Sequence, residues 1–422
     1  MILFYPYYDI ITIQMIRRIT STVLAVFIVA TLAIIVIAYG RGFRLNFNNK
    51  TFTSTGILSA SSYPDKASVW IDGQLKSATS TSLSLSPGWY NVKITKEGYQ
   101  SWEQKIHIQG EIMSQVDALL IPTNPSLRAL TITGIMHPTL SPSGTKVAYI
   151  ISPREATISG SLKAKSGIYI FELRTDALGN VIDPKPLYQP ITNLDWQNAR
   201  LSWSPDEKNI LLTFIKVVRT KEQIIQVYLF ETDASQNVPV DVTNRYEAVL
   251  KDWQDLAKIK ETTKFSTLPE SIYNTLSTSA GNLKMSPDDS KILYLATSSA
   301  TLSSVISPPL IGSNSTEEKR SIQNGNYYIY DKKEDKNYLI ASQKSLSQPI
   351  TITWYTDSKH IVIVENATIY IIDYDGSNKH GVYSGPFLNN TVYPWPGGNK
   401  LVILTNFNHG EGSPNLYQID LR

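Results

Sequence analysis

Short apolar stretches separated by tight polar turns recur along most of this chain. Leu201 to Phe214, LSWSPDEKNILLTF, has an apolar entry at Leu201 and Trp203, then the turn Ser204-Pro205-Asp206-Glu207, then alternating Ile210, Leu212 and Phe214. Variants follow at LSPSGTKVAYI from Leu140, MSPDDSKILYL from Met285, WYTDSKHIVIV from Trp354 and PWPGGNKLVIL from Pro394. Alternation with period two predicts half-buried strands. Proline at the second turn position presets φ, and Asp or Gly near it suits the turn. Asp206, Gly144, Asp288, Asp357 and Gly397 are read as one turn position that accepts either residue, so Asp206 builds the turn and is no catalytic acid.

Each copy has a second half, a strand ending in polar turn residues: GIYIFEL from Gly167, QVYLFETD from Gln226, NYYIYDKKED from Asn326, TIYIIDYDGSN from Thr368 and NLYQIDLR from Asn415. Paired halves make a four-stranded unit that cannot bury both faces alone, so copies must stack in a ring or array. At roughly 40–50 residues per unit, residues 123–422 have room for six, of which five are legible. The pattern resembles the WD-like repeats of TolB-type β-propellers. Two insertions interrupt it, at about 244–277 and 297–325. In the first, Tyr246, Val249, Leu250, Trp253, Leu256 and Ala257 fall on one helical face, with Asn244 and Glu247 as a capping box and a second helix starting near Pro269. The second, rich in Ser, Pro and Gly, reads as a long solvent loop.

Ile19 to Tyr39 carries no charge, and a helix of that length rises about 30 Å, enough to cross a bilayer. The expected organisation is a short segment at 1–18 and a transmembrane signal-anchor helix at 19–40, exceeding the 7–15 apolar residues typical of a cleaved signal. Arg17 and Arg18 precede the helix and Arg41 and Arg44 follow it, so the positive-inside count is nearly balanced.

Residues 41–122 return to period two. Ala67, Val69 and Ile71 alternate before an Asp72-Gly73 turn, Val92 and Ile94 after a Pro87-Gly88 turn, and Ile106 and Ile108 close the set, which predicts a small antiparallel sandwich. The entry Pro64 to Ala67, the V-W-I-D-G strand and turn, the L-S-P-G turn before Trp89 and the K-E-G-Y close at Lys96 to Tyr99 resemble a PEGA domain. Lys66 stands where that family has Gly, and Thr79-Ser80-Thr81 replaces its Thr-Pro pair. The resemblance implies a surface-exposed module, often tied to a membrane anchor, without known catalysis. The fold class is therefore mainly β: an N-terminal transmembrane helix, a PEGA-like β-sandwich, then a β-propeller of five to six blades with a helical insertion.

Composition narrows the function. Charged residues are 18%, below the usual quarter, as in β-rich chains that face solvent with hydroxyls and amides. The net charge of +3 is spread along the chain, unlike a nucleic-acid groove. Cysteine is absent, which removes disulfides, thiolate metal sites and cysteine nucleophiles. There is no Gly-x-Ser-x-Gly elbow. The histidines His107, His137, His360, His380 and His409 show no metal spacing. Asp373-Tyr374-Asp375-Gly376-Ser377-Asn378 has carboxylates at calcium-loop spacing but lacks the distal Glu and reads as a hairpin turn. No catalytic, cofactor or metal residues are expected.

The combined order resembles membrane-anchored surface proteins of bacteria. It implies a non-enzymatic binding or scaffolding protein held to the lipid bilayer by its helix, with the bulk of the chain extracytoplasmic. The expected partner is an envelope protein or cell-wall polymer, and Trp253, Tyr246 and Ser313 are candidate partner contacts. The alternative is a propeller enzyme (a lyase, lactonase or glycosidase) with acids, histidines or a metal converging on the central channel.

Overall fold

The computed structural model describes residues 8–40, 43–46, 51–153, 165–189, 195–218, 221–233, 238–343, 350–407 and 413–421. Arg41 and His409 lie outside the described residues, as does the side chain of Arg44. The chain forms two compact units. The first comprises Met1–Ile94, Glu103–Leu119 and Ser313–Ser315; the second comprises Thr95–Trp102, Leu120–Gly312 and Thr316–Arg422.

In the first unit, helix α1 runs from Tyr8 to Gly40. It starts well before Ile19 because no Pro or Gly interrupts the chain between Tyr7 and Gly40. Met15–Ile37, 23 residues, is the apolar part, and its side chains are exposed; a helix of that length rises about 35 Å. A two-stranded ribbon, Phe43–Asn46 with Thr51–Ser54, follows. The rest is two sheets. One orders Thr81–Leu85, Gly56–Tyr63 and Met113–Leu119; the other orders Gln74–Ala78, Ser68–Ile71, Gly88–Thr95 and Trp102–Ile108. The alternating residues Leu58, Ala60, Val69, Ile71, Val92, Ile106, Ile108 and Val116 form its buried apolar set.

The pairing is not wholly antiparallel. Gly56–Tyr63 and Met113–Leu119 pair in parallel, with Ile57 opposite Met113 and Tyr63 opposite Leu119. Parallel neighbours need a long connection, and here the strands of the other sheet supply it. Gly56 is required where the chain enters: a Cβ there would stand 2.2 Å from the Gln109 carbonyl oxygen.

The second unit contains five four-stranded sheets among the described residues, one per legible repeat. Sheet 1 is Met136–Leu140, Lys146–Ile151, Gly167–Glu172 and Lys185–Tyr188; sheet 2 is Ala199–Trp203, Asn209–Val218, Lys221–Glu231 and Val240–Asp241. Sheet 3 is Ala280–Met285, Lys291–Ala296, Asn326–Asp331 and Lys336–Ser342; sheet 4 is Thr351–Trp354, His360–Glu365, Thr368–Asp373 and His380–Ser384. Sheet 5 takes Val392–Pro394, Lys400–Thr405 and Asn415–Asp420 and is completed by Leu127–Ala129 from the start of the region. That pairing, Leu127 opposite Ile419, ties the two ends of the repeat region together, as closure of a propeller requires.

The repeated turn is built the same way in sheets 2 and 3, while Tyr355 and Trp395 stand at the serine position in sheets 4 and 5. In sheet 2 the Ser204 hydroxyl donates to Asp206 (2.6 Å) and accepts the Asn209 N–H (2.9 Å), while Glu207 N–H reaches the Ser204 carbonyl (3.0 Å). Ser286, Asp288, Lys291 and Asp289 repeat these bonds in sheet 3. The register differs from the sequence reading by one residue. Gly144 aligns with Glu207, Asp289, Ser358 and Gly398, all at positive φ between 55° and 74°. Ser143, rather than Gly144, stands at the carboxylate position. The left-handed slot accepts non-glycine residues because the side chain before it and the closing backbone bonds hold the turn.

Neighbouring sheets pack through the alternating residues. Ile150, Ile168 and Leu187 of sheet 1 meet Leu201, Trp203 and Leu212 of sheet 2. Tyr149 and Phe171 of sheet 1 meet Trp395, Val402 and Leu416 of sheet 5. Leu293 and Ile329 of sheet 3 meet Trp354, Ile361 and Ile363 of sheet 4. The insertion between sheets 2 and 3 supplies two helices, α2 (Tyr246–Phe265) and α3 (Glu270–Ser279). Tyr246, Val249, Leu250 and Trp253 lie on Leu211, Val227 and Val242 of sheet 2. Ile272 and Leu276 bury against Ile292, Tyr294, Tyr328 and Tyr330 of sheet 3. The capping box does not form. A 3-10 turn, Thr243–Arg245, precedes α2, Arg245 is its N-cap, and no side chain caps it. Pro269 is the N-cap of α3 rather than its first helical residue.

Candidate functional site

Among the described residues of the second unit, sheet 2 carries an exposed apolar ribbon. Its middle strands pair out to Val218 opposite Lys221, well past Ala199 opposite Phe214, where the first strand ends. A register shift after Phe214 re-aims the ribbon and leaves Ile225 unmatched, as a bulge does. Beyond it Val217 (62% exposed), Val218, Ile224 and Ile225 face solvent beside Lys216, Lys221 and Glu222. The Arg200 guanidinium grips the Glu222 carboxylate through both terminal nitrogens, at 2.9 and 2.5 Å.

Two neighbouring clefts share Ile225 and Gln226. One, of about 570 Å³, is lined by Ile225, Gln226 and Asp241 to Arg245, ending one residue before Tyr246. The other, of about 550 Å³, adds Asp195, Asn198, Phe214, Ile215, Lys216 and Val217. Thr243 holds Asp241 in place: its hydroxyl donates to the carboxylate (2.6 Å), as does its N–H (2.9 Å). These bonds keep the Asp241 carboxyl below its ordinary range, so it is an ionised acceptor, suited to recognition rather than proton transfer. Apolar groups ringed by charges of both signs are chemically suited to contact with a protein or polymer chain.

The three sequence-derived candidates do not come together. Tyr246 and Trp253 are half-buried on sheet 2 and stand along one face of α2. Ser313 belongs to the first unit, where its carbonyl accepts the His107 N–H (3.0 Å), Ser315 N–H donates to Lys105 (3.0 Å) and Asn314 bridges Ile106. The segment read as a solvent loop is pinned. Asp335, almost fully buried, accepts Val305 N–H (2.7 Å) and Ile306 N–H (2.9 Å), and Arg320 pairs with Asp335 and Glu318.

Sequence reasoning missed a buried charge network. His360 is buried between Asp357 (Nδ1 to Oδ2, 2.6 Å) and Asp373 (Nε2 to Oδ1, 3.2 Å). Burial opposes protonation, but bonding and charge from the two carboxylates prevail and raise His360 to about 10. The remaining oxygen of Asp373 accepts Trp102 Nε1 and Asn378 Nδ2, each at 2.9 Å. Asp375 is raised by burial and by the Asp373 charge, while Ser377 (2.6 Å) and Thr316 (2.7 Å) donate to it. The 373–378 segment is thus a turn, closed by Asp373 N–H to Ser377 and Gly376 N–H to Asp373. A histidine that stays protonated through neutral pH cannot serve as a general base. Among the described residues no group of three or more His, Cys, Asp or Glu side chains could hold a metal ion.

Residues 55–124 match the PEGA domain family. No curated protein matches the sequence. Solved structures similar to the chain include a TolB from Agrobacterium tumefaciens, 11% identical, covering 69% of this chain and 84% of its own, with a TM-score of 0.22. Another is TolB from Acinetobacter baumannii, 14% identical, covering 78% of this chain and 59% of its own, with a TM-score of 0.23. At such scores the arrangement of the sheets rests on the pairings above.

Proposed function

We propose that this chain is a membrane-anchored binding protein of the cell envelope, with its repeat region extracytoplasmic and serving as an interaction platform. The observation that carries the reading is the extended ribbon of sheet 2, which exposes Val217, Ile224 and Ile225 beside two clefts. An exposed apolar strip of this kind costs solubility unless a partner covers it. The α1 helix supplies the anchor, and the PEGA match supports an exposed module next to it. The partner is a protein or wall polymer presenting an apolar strip with flanking charges, to complement Lys216, Asp241 and Arg245. Tyr246 and Trp253 extend that face along α2.

A photo-crosslinking residue placed at Val217 tests this in intact cells, with the same residue at Leu178, 86% exposed in the turn between the last two strands of sheet 1, as the control. The reading expects a discrete adduct from position 217 that the charge change Ile225→Glu removes. Identical patterns from both positions would count decisively against the platform.

A further inference from the structure

The first unit holds a second exposed apolar surface, at the end of its sheets where the chain arrives from α1. Ile57 (43% exposed) and Met113 (60%) are opposite each other at the start of the parallel pair, and Ile112 (52%) precedes Met113. Trp89 (42%) lies at the same end, its ring 4.7 Å from that of His107. Ser114 donates to the His107 carbonyl (2.9 Å), which ties the two sheets together at this end. Gly56 opposite Leu85, and the link from Ile108 to Met113, bring the remaining strand ends to this face.

Chain length decides what lies against it. Fifteen residues separate Gly40 from Gly56, yet most of them return on themselves, because Phe43 pairs with Ser54. Only Arg41 and Gly42 lie between Gly40 and that pair, and only Thr55 between the pair and Gly56, so the patch starts at most about 24 Å from the helix end. A tether this short holds the patch at a high effective concentration over the lipid surface. An exposed tryptophan beside aliphatic side chains is the composition that settles at the headgroup boundary. Glu111 is exposed in the same turn.

We infer that Ile57, Ile112, Met113 and Trp89 form a docking surface for the interfacial layer of the bilayer that α1 crosses, holding the first unit against the membrane. The inference rests on the anchor reading of α1.

The absence of cysteine makes the test direct. Single cysteines replace Met113, Ala78 (exposed at the opposite end of the unit) and Val26 (within α1), and each carries an environment-sensitive fluorophore. The full chain goes into phosphatidylcholine–phosphatidylglycerol vesicles with brominated acyl chains or with aqueous iodide. The inference expects blue-shifted, bromine-quenched emission at 113 and 26, and iodide-quenched emission at 78. Ile112→Asp with the label at 113 should restore iodide quenching there. Bromine quenching at 26 alone, with 113 open to iodide, would overturn the docking surface and leave the anchor standing. Protection of 113 from both quenchers would mean that protein covers the patch, which overturns the lipid assignment. No bromine quenching at 26 would remove the anchor and the inference together.

Discussion

Replacing His360 with glutamine removes the one cation between Asp357 and Asp373 while keeping a side chain that can hydrogen-bond. A rise from the ordinary 6.5 to about 10, at about 1.4 kcal/mol per tenfold change, sets a ceiling of about 5 kcal/mol. Asp357 is 35% exposed, so solvent screens its share. Asp373 keeps Trp102 and Asn378 as donors after the substitution. The expected loss is therefore about 3 kcal/mol, the lower end for breaking a buried ion pair. Because the folded-state value lies above the unfolded one, the stabilisation is fully present below pH 6.5. It declines as pH rises and is gone above about pH 10. Two compact units make a single global transition a poor readout. The assay is hydrogen exchange under increasing urea, followed in strands His360–Glu365 and Thr368–Asp373. H360Q should exchange faster at pH 7 and show a flatter pH dependence between 7 and 10 than the parent. Unchanged exchange at pH 7, or a parent that gains protection towards pH 10, would refute the charge assignment.

Other outcomes follow from the same geometry. Asp375→Asn should not lower stability at pH 7, because burial and the Asp373 charge raise this carboxyl and disfavour its ionised form in the folded state. Asp373→Asn should cost about 2–4 kcal/mol, and urea melts of sheet 4 distinguish the two. Gly398→Ala should cost about 1–2 kcal/mol because its φ is +70°, while Gly397→Ala, without positive φ, should be close to neutral by thermal melting. Trp102→Phe should cost about 1.5–3 kcal/mol through the lost charge-assisted bond to Asp373, read by the same exchange experiment.

The five repeats were legible because their information is local: a Ser-Pro-Asp turn and an alternating strand lie within fourteen residues of each other. The α2 stripe was legible for the same reason, since Tyr246, Val249, Leu250 and Trp253 recur at helical spacing and pack as one face. The one-residue offset at Gly144 escaped because glycine suits either of two adjacent turn positions, and only the measured φ separates them. The parallel pair of the first unit was hidden since alternation is identical in parallel and antiparallel strands. Non-local chemistry was wholly invisible. Trp102 meets Asp373 across 271 positions, and the loop at 297–325 is pinned by an aspartate outside it. The ribbon of sheet 2 was passed over because Lys216 to Ile225 alternates poorly, which is itself the mark of a strand pair leaving the sheet.

The central claim is that the repeat region lies outside the membrane, carried there by α1. Leu178→Cys, the lone thiol on an 86% exposed side chain, can be reacted with a membrane-impermeant maleimide on intact cells. Labelling before lysis equal to that after lysis is expected of an extracytoplasmic repeat region. Labelling that appears only once the cells are broken would place the region inside and contradict that claim.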